Sequence, residues 1–215
     1  GAIGDLEGWA SVEDRRKEHE EGSESDEDQS KRLALLYAYY ASRTVQPLCE
    51  ASGQHWSNGD FVSFCLTGRL TFEYAASIHY VLKILSRAAG DKNWKSAYDR
   101  LIPLVLGTRR PYWLEMYQVE QPQSVNILTQ ITHWNFQNSD AEDDYAFLSE
   151  VCHPNHLQHY YFYKAGKAGD LYTSMTTTVS LDRIVCIVQK SAISIGANLL
   201  DIAALVEPPL WKDRK

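Results

Sequence analysis

The hydrophobic positions of this chain repeat at three- and four-residue steps over most of its length, the spacing that puts side chains on one face of an α-helix. Leu33, Leu36, Tyr37, Tyr40, Thr44 and Leu48 trace such a face and predict a helix over residues 31–51, with Ser52-Gly53-Gln54 as its stop. A longer helix is predicted from the Ser57-Asn58-Gly59-Asp60 start signal to about Ala89, with Gly90 as C-cap. Its stripe is Phe61, Phe64, Cys65, Gly68, Phe72, Ala75, Ala76, His79 and Leu82. Further helices are expected at 94–106, at 125–136, and from the capping box Ser139-Asp140-Ala141-Glu142 to the residues before Pro154. The last, 181–206, has the cleanest period: Leu181, Ile184, Val185, Val188, Ala192, Ile195, Leu199, Ile202 and Val206.

The pattern changes between 159 and 178. There Tyr160-Tyr161-Phe162-Tyr163 and Leu171-Tyr172-Thr173-Ser174-Met175-Thr176 flank a Gly/Ala/Lys loop, which predicts a small β-like or irregular insertion. The fold class expected is therefore all-α, a helical bundle of about five or six main helices carrying that insertion. No internal repeat is visible.

Charge alters the domain picture. The chain of 215 residues has a formal charge of −7, yet residues 1–30 hold eleven acidic against three basic side chains. We read 1–30 as an acidic arm and linker, with a short helix after Ser11-Val12-Glu13-Asp14 and with Leu6 and Trp9 as its anchors, and 31–215 as a single helical domain. The body that remains is nearly neutral, which excludes the strongly basic surface of a dedicated non-specific nucleic-acid binder. Residues 1–8 have neither a basic flank nor an apolar run, so no secretory signal is expected. Residues 191–206 are interrupted by Asp201 and fall short of the ~20 residues of a membrane span, so no membrane partner is expected.

The four cysteines, Cys49, Cys65, Cys152 and Cys186, lie in apolar helical stretches without CxxC spacing. They read as reduced core thiols of a cytoplasmic protein. Cys152 adjoins His153, but neighbours along a helix do not face each other, so the two do not form a nucleophile pair.

Two constellations could carry chemistry. Glu150 and His153 share a helix face near a helix end, with Asn155 just beyond Pro154. Arg69 and Glu73, at i and i+4, stand in a long helix that is otherwise almost uncharged from 61 to 80. Charges on such a face need partners, and Glu150 and His153 are the expected ones. The cluster is either a polar site or a structural ion-pair network. Glu-x-x-His is half of a carboxylate di-metal centre, but a second half is missing. No P-loop, GxGxxG or Ser-His-Asp arrangement appears. No metal and no cofactor are expected.

Arg69-Leu70-Thr71-Phe72-Glu73-Tyr74-Ala75-Ala76, together with Ser149-Glu150-Val151-Cys152-His153-Pro154-Asn155, resembles a family of uncharacterised bacterial helical proteins related to the HEPN superfamily. The likeness covers roughly residues 60–205. It implies a helical bundle, often a homodimer, and RNA or a nucleotide as partner, with metal-free RNA cleavage in defence or toxin–antitoxin systems. On that resemblance His153 would be the acid–base group, Glu150 would orient it and Arg69 would stabilise charge on phosphate. The Arg that precedes the His in HEPN proteins has no counterpart at 147–149, where Phe, Leu and Ser stand. The alternative reading is a non-catalytic helical interaction or regulatory protein.

Overall fold

The computed structural model describes residues 25–105, 107, 124–135, 138, 140–152, 163–164, 173–174 and 178–206. These form six helices: α1 Asp26–Ser57, α2 Phe61–Asp91, α3 Trp94–Val105, α4 Ile127–Asn135, α5 Ala141–Cys152 and α6 Thr178–Val206. The expected all-α bundle is what the chain builds. Within the 159–178 insertion, β1 Tyr163–Lys164 pairs antiparallel with β2 Thr173–Ser174.

Helix α2 is the axis of the bundle: α1, α3, α4, α5 and α6 all pack on it. Its inward residues Phe72, Ala75, Ala76, Ile78, Val81 and Leu85 are at most 1% exposed. Asp60 opens it by accepting a hydrogen bond from the Ser63 amide at 3.2 Å. Gly90 does not close it. The helix runs on to Asp91, which pairs with Arg87 one turn back, and Lys92 takes the left-handed conformation at φ 56°.

The acidic linker ends earlier than its composition suggests. Ser25 is the N-cap of α1, and Asp26, Glu27 and Asp28 are the first turn, where the helix dipole favours negative charge. Gln29 and Ser30 are buried, and the Ser30 hydroxyl donates to the Trp94 carbonyl at 3.1 Å. At its other end α1 passes through Ser52 and Gly53. Ser52 is buried, and Trp56 packs edge-on against Phe61 and tilted against Phe64, fastening the last turns. Its buried residues are Gln29, Ser30, Ala34, Ala41, Val45 and Ser52, and Leu33 and Tyr37 of the expected stripe pack against the core beside them, while Tyr40 and Thr44 face outward. Leu6, Trp9 and the 11–21 helix of the arm lie outside the described residues.

Helix α6 is longer than its apolar core. From Asp182 to Val206 it is long and apolar enough to cross a membrane, which removes the length argument against a span. One face, with Ile184, Ile187, Ile195 and Ile202, is core against α2. Of the cysteines, Cys65 is buried and Cys49 and Cys152 are half-buried, but Cys186 is exposed on the outer side of α6.

Candidate functional site

Arg69, Phe72, Glu73 and Ala76 follow one another at helical steps along one side of α2, and α5 lies across that side. Helix α5 starts where the Asp140 carbonyl accepts from the Asp144 amide at 2.8 Å and the Asn135 side chain accepts from the Ala141 amide at 3.1 Å. Ala141, Asp144, Leu148 and Val151 form its buried stripe. Tyr145 and Cys152, seven residues apart, flank that stripe on the side that meets Arg69.

The Arg69 guanidinium is held at three points. Its Nε lies 3.1 Å from Glu73 Oε1, and an Nη donates to the Tyr145 hydroxyl at 3.2 Å. Its plane also sits 5.4 Å from the centre of the Tyr145 ring. Tyr145 in turn stacks on Phe72. Burial alone would lower the Arg69 pKa, but Tyr145 and Glu73 outweigh it and push it up. The arrangement fixes a permanent cation between a carboxylate and a phenol, both about one turn from apolar core.

Cys152 feels the charges of both Arg69 and Glu73. Burial is the larger influence and pushes its thiol up to about 11, with Arg69 pulling the other way. It is a neutral thiol, not a nucleophile. The C-terminal end of α5 is thus beside the Arg69–Glu73 pair. His153 and Asn155 lie outside the described residues. Glu150 is exposed and lies about 140° around α5 from Tyr145, counting ~100° per residue. Arg69 and Glu73 are therefore brought together with Tyr145 and Cys152.

A second ion-pair group escaped the sequence reading. Asp144, 5% exposed, pairs with Arg183 of α6 at 3.0 Å; Arg183 also pairs with Asp143 and covers the Phe147 ring at 4.5 Å. Asp143 and Asp144 stand in the acidic first turn of α5. Among the described residues, no three His, Cys, Asp or Glu side chains come together as a metal site.

Comparison of the chain with protein-family models, with curated proteins and with solved structures gave no match. The likeness to HEPN proteins rests on the two strings around Arg69 and Glu150 alone.

Proposed function

We propose that this chain is a non-catalytic helical interaction protein that pairs with a second copy of itself through the outer face of α6, and that the Arg69–Glu73–Tyr145 group is a structural network. The observation that carries this reading is an apolar stripe on a helix whose other side is core. Ile193 and Leu200 are 73% and 74% exposed, with exposed Gly196 and Ala197 between them. Ser191 is fully buried on the opposite, core side and donates to the Ile187 carbonyl.

The stripe is self-complementary. In an antiparallel pair centred between Gly196 and Ala197, Ile193 of each helix meets Leu200 of the other. Exposed Lys190 and Asp201 lie on one edge of the stripe. In that pairing they face each other across the two-fold axis with an axial offset of about 3 Å, two residues of helix rise. Small residues at the centre allow the two backbones to approach closely.

Sedimentation equilibrium of the full chain tests this reading. A dimer mass is expected at micromolar concentration. Ile193→Glu with Leu200→Glu should give a monomer with an unchanged helical spectrum. Lys190→Asp alone should weaken the dimer, and adding Asp201→Lys should restore it. A monomeric wild type, or binding of α6 to lipid vesicles in place of pairing, would overturn it.

A second reading is favoured by one observation: the end of α5, to which His153 is joined through Cys152, lies beside Arg69. On this reading the chain is a HEPN-like RNA-cleaving protein with His153 as acid–base group, Arg69 near the phosphate, and Glu150 and Asn155 as polar neighbours. His153→Ala separates the two. Loss of RNA cleavage at unchanged stability supports catalysis, whereas absence of cleavage in the wild type excludes it.

A further inference from the structure

We draw no further inference here: the strongest candidate, the cavity of about 160 Å³ between the end of α2 and the start of α3, has polar walls whose groups already hold partners, Arg87 on Asp91, the Ser96 amide on the Asn93 side chain and Arg100 on the Tyr80 hydroxyl, and nothing among the described residues points to a ligand for it.

Discussion

Gly68 of α2 faces Val188 of α6 so closely that a β-carbon built on the glycine would lie 2.7 Å from Val188 Cγ2. The two long helices touch at this point because one has no side chain there. Gly68→Ala should therefore destabilise the chain even though alanine favours a helix by ~1 kcal/mol over glycine. The clash is with a short branched side chain that cannot swing away, and overpacking of this kind costs about 1–3 kcal/mol. Val188→Ala in the same molecule should recover most of the loss. Melting curves of the two single variants and the double variant check it, and a more stable Gly68→Ala would contradict the contact.

Tyr145→Phe keeps the ring stacked on Phe72 and removes the hydroxyl that Arg69 holds. A loss of about 1 kcal/mol is expected, the usual value of a hydrogen bond to a partly screened charge. Arg69→Met should cost more, because it also leaves Glu73 without its cation, but both side chains of that pair are 27% exposed and solvent limits the penalty. The double variant should cost less than the sum of the two. Strict additivity in urea melts would show that the two residues do not work together.

His79 and His133 set a pH dependence. Burial is the first cause that lowers the pKa of each; Lys83 adds to it for both, and Arg100 for His133. His133 adds a little to the lowering at His79, and the Asn198 hydrogen bond to His79 works against it. In the unfolded chain both histidines titrate near ~6.5. Above that pH both states are neutral and stability is complete; as pH falls through it, the unfolded chain takes up protons first and the fold loses stability. The melting temperature should fall from pH 7.5 toward 5.5. Replacing both histidines with glutamine should flatten that slope, whatever it does to the level. A wild-type curve flat over this range would refute the assignment.

The helices could be read from the sequence because each has a face, and a face is a one-dimensional pattern. Phe64, Cys65, Gly68, Phe72, Ala75, Ala76 and His79 were expected inside and are inside. Ends were harder. Asp26, Glu27 and Asp28 resemble a solvated acidic linker and a helix first turn equally, and only the capping Ser25 tells them apart. Periodicity also does not say which helix lies opposite. Arg69 announced itself as a charge in need of partners, yet nothing in the string around Tyr145 names it as the partner. Asp144 and Arg183 are 39 residues apart and meet because α5 and α6 both pack on α2. Lys83, Arg100 and His133 come from three separate segments, each unremarkable by itself.

Because every other described helix rests on α2, the bundle resembles a wheel with one hub. A break in the backbone between α3 and α4 would leave the hub in the first piece, together with two of its spokes. The second piece would keep α4, α5 and α6 without the surface they rest on. Expressed as separate polypeptides, the first half should collapse into helix by itself and act as a template on which the second half folds when the two are mixed. A cut inside α2 would leave neither half able to organise the other.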